Sequence, residues 1–178
     1  MTRKPSRASA SRLKRLWTHL RTTHAHVRAL FPDTTLDRVE QLIQSGEPGH
    51  QGELRVVIEG SLPLAQVWGR VTPRERAEHI FRELDIWDTE ANSGVLLYLN
   101  IADHAVEIVA DRGFAARVPV STWDELCAIL VDGFVRQQQT AALQQVIQAL
   151  HALAKRHFPV DPARGGNSNE LPDRPLVR

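Results

Sequence analysis

The stretch Trp87-Asp88-Thr89-Glu90-Ala91-Asn92-Ser93-Gly94-Val95-Leu96-Leu97-Tyr98-Leu99, followed by Val109-Ala110-Asp111-Arg112-Gly113-Phe114, decides how this chain is read. Oxygen-bearing side chains stand at alternate positions (Asp88, Glu90, Asn92) ahead of an apolar run, Gly94 to Ile101, that suits a strand buried on both faces. Ala102-Asp103-His104 makes a short turn, and Ala105 to Ala110 returns as a second strand, so the two form an antiparallel hairpin. The return carries Asp111 and Arg112 back beside the acidic loop. Oxygens gathered at one sheet edge are how a chain holds a hard cation or a phosphate.

Working outward, Glu53 to Ile58 reads as another strand. Thr72-Pro73-Arg74-Glu75 is a helix start, with Thr72 as cap and Glu75 at the capping-box position, and that helix runs to about Leu84. A helix between two strands predicts a parallel, right-handed crossover. Upstream, Leu13, Leu16, Trp17, Leu20, Val27 and Phe31 recur at helical spacing, predicting one amphipathic helix from Ser11 to about Val27. Asp33 or Thr34 caps a second helix to roughly Ile43. Downstream, helices are expected from Ser121 to about Phe134 and from Thr140 to about His157.

The order α-α-β-α-β-β-α-α predicts a three-layer α/β/α sandwich around a small mixed sheet of three strands. The organisation follows: a basic N-terminal arm with its amphipathic helix (1–32), a domain (33–158) and a C-terminal tail (159–178). Residues 1–10 and the tail, poor in large apolar residues, read as disordered. This topology places Glu53, the Asp88–Asn92 loop and Asp111–Arg112 on one edge although they are far apart in sequence.

At 178 residues, with 42% hydrophobic and 24% charged residues, the chain is of soluble globular type. Its one cysteine, Cys127, permits neither an intramolecular disulfide nor a cysteine zinc site. Gly133, not arginine, stands six residues later, and the apolar neighbours of Cys127 mark it as core. No run approaches the roughly 20 apolar residues that span a bilayer, and no signal peptide is recognisable, so the cytoplasm is the default location. The net charge of +1 hides an asymmetry. Residues 1–28 hold eight Lys/Arg and no Asp or Glu, which leaves 14 basic and 21 acidic side chains, a net of −7, on the remainder.

Residues 11–28, basic and amphipathic, suit an anionic membrane surface such as the inner membrane, a membrane-protein partner, or packing on the acidic domain itself. Nucleic acid is disfavoured, because the domain behind the arm would repel phosphates. His19, His24 and His26 have no carboxylate beside them and read as surface histidines. Trp68, Trp87 and Trp123 read as cover for the edge of the core. Oligomeric state is not legible.

Gly52-Glu53-Leu54-Arg55-Val56-Val57, then Asn92-Ser93-Gly94-Val95-Leu96-Leu97-Tyr98-Leu99 and Val106-Glu107-Ile108-Val109-Ala110-Asp111-Arg112-Gly113-Phe114, resemble the TPM domain family, whose members include a thylakoid acid phosphatase and photosystem II repair protein. The resemblance covers about residues 34–158. It implies an α/β/α sandwich, a divalent-cation site, usually calcium, in the acidic loop, and for some members a weak phosphatase activity. Asp111 stands where many members have glycine, and Arg136-Gln137-Gln138-Gln139-Thr140 replaces a common Gly-Asp-aromatic segment.

The candidate metal ligands are therefore Asp88, Glu90, Asn92 and Asp111, with Glu53, Arg112, Gly113 and Arg117 beside them. The loop is not an EF-hand, since Leu99 stands where the bidentate glutamate belongs. The expected function is a cation-binding accessory or interaction module at a membrane periphery. The alternatives are a metal-dependent acid phosphatase drawing on Asp88, Asp111 and Arg112, and a structural adaptor docking through its basic helix. Phosphoryl transfer wants a nucleophile or positioned water and a charge clamp, and no nucleophile motif or glycine-rich phosphate loop is present.

Overall fold

The computed structural model describes residues 7–160 and 169–178. Strands β1 (Glu53–Glu59) and β2 (Gly94–Asn100) run parallel, Glu53 opposite Gly94 and Glu59 opposite Asn100, and every residue of both is buried. Helices cover both faces of the sheet, which is why these strands read as continuous apolar runs rather than alternating ones. The crossover carries α4 (Leu64–Trp68) and α5 (Pro73–Glu83). Its start is the predicted capping box: Glu75 N–H donates to Thr72 Oγ1 at 3.1 Å and Thr72 N–H donates to the Glu75 carboxylate at 2.8 Å. β3 (Ala105–Ala110) returns antiparallel to β2 after a turn in which His104 adopts φ 51.

One face of the sheet packs Val57, Leu96, Tyr98 and Val109 on Ala77, Ile80 and Phe81 of α5. The other carries α2 (His24–Leu30), α3 (Asp33–Gly46), α7 (Val120–Val135) and α8 (Gln139–His157), whose Val39, Ile43, Leu130, Leu143 and Ile147 meet Val56, Ile58 and Leu97. The result is the expected α/β/α sandwich.

Three expectations are corrected. The sheet has four strands in the order β3-β2-β1-β4, because β4 (Leu176–Val177) pairs parallel with Val57 and Ile58 of β1. The tail read as disordered is thus built into the sheet over residues 169–178, with Leu171 buried; residues 161–168 lie outside the described ones. A pairing over more than a hundred residues leaves almost no local signature in two apolar residues.

The second correction concerns the N-terminal helix, which is two helices, α1 (Arg7–Arg21) and α2, parted at Thr22–Thr23. Thr23 is extended (φ −97, ψ 160) and its side chain caps α2 by accepting from His26 N–H, so a threonine that could have continued the helix restarts it. Of the residues expected to be disordered at the N-terminus, 7–10 are helical and 1–6 lie outside the described ones. Val27 and Phe31, placed with the arm by the sequence reading, lie in the main core. Third, Trp68 and Trp87 are exposed, and only Trp123 packs on the core.

Candidate functional site

The leading edge of the sheet gathers the expected residues. Glu53 N–H donates to Ser93 O at 3.2 Å and Asp111 N–H to Gly94 O at 2.9 Å, so β1, β2 and the end of β3 meet there. Two glycines make the meeting possible. A Cβ on Gly94 would stand 1.9 Å from Ile86 O, and one on Gly113 would stand 2.4 Å from Asn92 O. Asn92 takes φ 52, a left-handed turn that asparagine tolerates. The Asn-Ser-Gly and Arg-Gly-Phe motifs are therefore rules of close chain approach.

The side chains at this edge do not form the expected shell. Asp88 and Glu90 are exposed, and Glu90 N–H faces the Glu170 carboxylate at 3.2 and 3.3 Å. Asn92 Oδ1 accepts from Arg112 Nε at 2.7 Å, so a guanidinium already holds the oxygen expected to face a metal. Asp111 caps α6 (Arg112–Ala115): its Oδ1 accepts from Arg112 N–H at 2.7 Å, while Oδ2 is buried and without a hydrogen-bond partner. The Arg117 guanidinium lies over the Phe158 ring, 4.5 Å from its centre. Among the described residues, no three His, Cys, Asp or Glu side chains converge as a metal group would require. The four proposed ligands do not fit a closed calcium shell of six to eight oxygens; one buried, unpartnered oxygen of Asp111 is what remains of it.

Glu53 turns instead to the C-terminal segment, where Glu170 N–H and Leu171 N–H both donate to its Oε2 at 3.2 Å. Glu47 and Asp173 lie beside it, all three nearly fully buried. Asn169 Nδ2 donates to both Asp173 oxygens, and Arg55 Nη1 donates to Pro172 O and Arg174 O at 2.5 and 2.6 Å. Glu47 was missed because Glu-Pro-Gly reads as a plain turn, and Asp173 because it sits in the supposed tail. The available signal was the pair of apolar steps, Leu171 and Leu176-Val177, in an otherwise polar segment.

Burial pushes the Glu47 carboxyl up to about 8, with the charges of Asp173 and Glu53 adding to it. The sign follows from linkage. Folded Glu47 keeps its proton where the unfolded chain has lost it, so its stabilisation is full below its ordinary value and fades as pH rises through about 8. We expect thermal unfolding of Glu47→Gln to match the parent at pH 5 and exceed it by several degrees at pH 8.5. Identical pH slopes for the two would show that Glu47 does not carry this dependence.

Next to it His50 Nε2 and His151 Nδ1 lie 2.7 Å apart, and Gly52 N–H donates to His50 Nδ1. That bond leaves the His50 proton on Nε2, directed at His151. Burial, then His151, pushes His50 down to about 4, so the neutral pair loses its stabilisation as pH falls from the ordinary histidine value towards 4. Cys127 is core-lining as read: burial pushes its thiol up to about 11.

At the opposite edge, α1 is fastened to the domain. Arg15 donates to both Asp103 oxygens at 2.8 Å and to Val71 O at 2.7 Å. His19, expected on the surface, is buried: its Nδ1 accepts from Leu62 N–H at 3.0 Å and its Nε2 lies 3.1 Å from Asp103. Asp103 N–H donates to Asn100 Oδ1, Asn100 Nδ2 to Tyr98 Oη, and Tyr98 Oη–H to Glu59 Oε2 at 2.6 Å. Glu59 in turn accepts from Arg76 Nε and Nη2.

An α/β/α domain whose parallel pair and hairpin meet at a glycine-tightened acidic edge is the class that this geometry defines. The TPM domain profile matches residues 27–153, and the chain belongs to the TPM domain family. The NMR structure of BA42 from the psychrophilic bacterium Bizionia argentinensis is similar over 82% of this chain and 93% of that one, with a TM-score of 0.69 and 21% identity, a likeness of fold. Comparison with curated proteins gave no match.

Proposed function

We propose that this chain is a TPM-domain interaction module that rests on an anionic membrane surface through the outer side of α1 and the adjoining α4. The observation that supports this reading is the inverted seating of α1. Arg15 and His19 face the domain, while Leu13, Trp17 and Leu20 are 58%, 59% and 52% exposed. Leu64 and Trp68 of α4, on which α1 packs, are exposed as well. A helix with an outward apolar side and basic flanks such as Lys14 and Arg21 settles at the headgroup level, where tryptophan also prefers to lie. Each basic residue near an anionic leaflet adds about 1 kcal/mol. None of the described helices is long and apolar enough to cross a membrane, and the contact proposed is a peripheral one.

Flotation tests it. The whole chain should rise with phosphatidylglycerol vesicles at low salt and stay down with phosphatidylcholine alone. Leu13→Ser/Trp17→Ser/Leu20→Ser should bind at least about tenfold less, since burying each such side chain is worth about 1.5–3 kcal/mol. Point variants are needed because a truncation at Asp33 would remove Val27 and Phe31 from the core. Wild type left at the bottom with anionic vesicles would refute the reading.

A second reading, a weakly held divalent cation at the leading edge, is favoured by the buried, unpartnered Asp111 Oδ2. Calorimetric heat on calcium addition that vanishes in Asp111→Asn would support it; no heat from wild type at low salt would remove it.

A further inference from the structure

The C-terminal segment 169–178 lies as a strap along the free side of β1. Glu53 holds its Glu170 and Leu171 amides, Arg55 holds its Pro172 and Arg174 carbonyls, and Leu171 joins the buried cluster of Val57, Ile80 and Phe81. Further along, Leu176 and Val177 pair with β1, Arg178 N–H donates to Ile58 O at 2.9 Å, and Gly60 N–H donates to Arg178 O at 2.9 Å. The Glu170 carboxylate reaches Glu90 N–H, so the strap also covers part of the acidic loop. Its remaining fastenings, Arg174 to Asp37 and Glu40 and Arg178 to Glu83, are surface ion pairs, which hold weakly.

Beneath the strap, three carboxyls meet where apolar residues would cost less to bury. Glu47, Glu53 and Asp173 are 6%, 1% and 8% exposed, and they come from the turn Glu47–Gly49, from β1 and from the strap itself. The Glu47 and Asp173 carboxyls lie within hydrogen-bonding reach of each other, and Glu47 Oε1 has no donor among the described residues. Two buried carboxyls meet in this way only when they share a proton. The Asn169 amide that serves Asp173 and the two backbone amides that serve Glu53 all belong to the strap, so they leave together when it lifts. Lifting also parts Asp173 from Glu47 and returns both to water.

We propose that the strap is a proton-latched cover: a proton shared between Glu47 and Asp173 keeps it closed, and loss of that proton lets residues 169–178 lift from β1 while the rest of the sheet stays folded. Closing takes up a proton, because burial, then the charges of Asp173 and Glu53, raise Glu47 to about 8, whereas water returns it to the ordinary carboxylate range. The hold is therefore full below that ordinary range, weakens as pH rises, and levels off above about 8. Neighbouring groups do not reverse the sign. Burial pushes His50 down to about 4 and lowers His151 of α8, so both are neutral above pH 6.5. The other charges nearby are Lys155 of α8 against Gly49, Arg55 of β1, Glu170 and Arg174 of the strap, and Asp37 and Glu40 of α3. Residues of these types ordinarily titrate outside the range from pH 6.5 to 8.5. The strap can lift alone because it ends the chain and leaves β1 paired with β2 from Glu53 to Glu59. Opening bares Glu53, Arg55 and the outer side of β1 at the leading edge.

Amide hydrogen exchange of the whole chain, read by NMR at pH 6.5 and 8.5 and corrected for the intrinsic rate, tests it. Protection of the Leu171 and Arg178 amides should fall by about tenfold or more across that interval. Ile101, whose N–H donates to Glu59 O at the far end of β1, should keep its protection. In Glu47→Gln, whose side chain donates to Asp173 without titrating, strap protection should be the same at both pH values. Should that variant unfold, Asp173→Asn, which removes the charge facing Glu47, must reduce the fall. Three results would overturn the proposal: strap protection in the parent that ignores pH, variants that lose it as steeply as the parent, or Ile101 falling in step with the strap. The last would leave Glu47 acting on the fold as a whole.

Discussion

Gly94→Ala is expected to lower Tm by about 10 °C, corresponding to about 3 kcal/mol for a domain of this size. The methyl would be placed 1.9 Å from Ile86 O and 3.0 Å from the Ile86 side chain. Ile86 is fully buried, and the backbone oxygen it presents cannot rotate away as a flexible side chain would. Relief therefore requires moving the segment before β2 or the strand itself, and the strand is held by β1 and β3 on its two sides. Close packing of this kind transmits strain rather than absorbing it. Thermal unfolding by circular dichroism reads the effect directly. A loss of only one or two degrees would mean that the chain before β2 is slack, and the account of this glycine as a contact residue would be wrong.

Glu59→Leu should destabilise the domain by about 3–5 kcal/mol, because it leaves the Arg76 guanidinium buried with its main partner gone. In the parent, Arg76 Nη2 lies 2.6 Å from Glu59 Oε1, both residues are under a tenth exposed, and Tyr98 Oη–H completes the carboxylate. Replacing both ions with apolar residues is a different matter. Glu59→Leu/Arg76→Met removes two desolvated charges together, and chemical denaturation should show it recovering most of the loss. If the single and double variants are equally unstable, the pair acts through packing around Tyr98 rather than through an uncompensated charge.

Much of the fold was legible because it is written locally. The apolar runs of β1 and β2, the three-residue turn into β3 and the Thr72–Glu75 capping box each need only a short window of sequence. The topology built from them correctly brought Glu53, Asn92, Asp111 and Arg112 to one edge. Legibility failed where a residue's partner lies far along the chain. Nothing near Leu176-Val177 announces β1, and nothing near Glu53 announces the amides of Glu170 and Leu171.

The ligand reading had a different weakness. Alternating oxygens specify where acceptors are but not what satisfies them, and Asn92 is satisfied by Arg112. The seating of α1 is the most instructive case. Its apolar spacing leaves open whether Leu13, Trp17 and Leu20 face a membrane, a partner or the domain; the bidentate contact of Arg15 with Asp103 and the buried bond of His19 to Leu62 N–H turn the other side to the domain. Directional hydrogen bonds to a turn that sequence cannot place in space have decided the rotation of the helix.

That rotation is also what the membrane reading depends on. In a variant carrying Trp17 alone, with Trp68, Trp87 and Trp123 replaced by phenylalanine, emission should shift to the blue on adding phosphatidylglycerol vesicles and be quenched by lipids brominated near the headgroup end of the chains. Emission that stays at its aqueous wavelength and escapes quenching, with the protein folded and the salt low, would contradict the account.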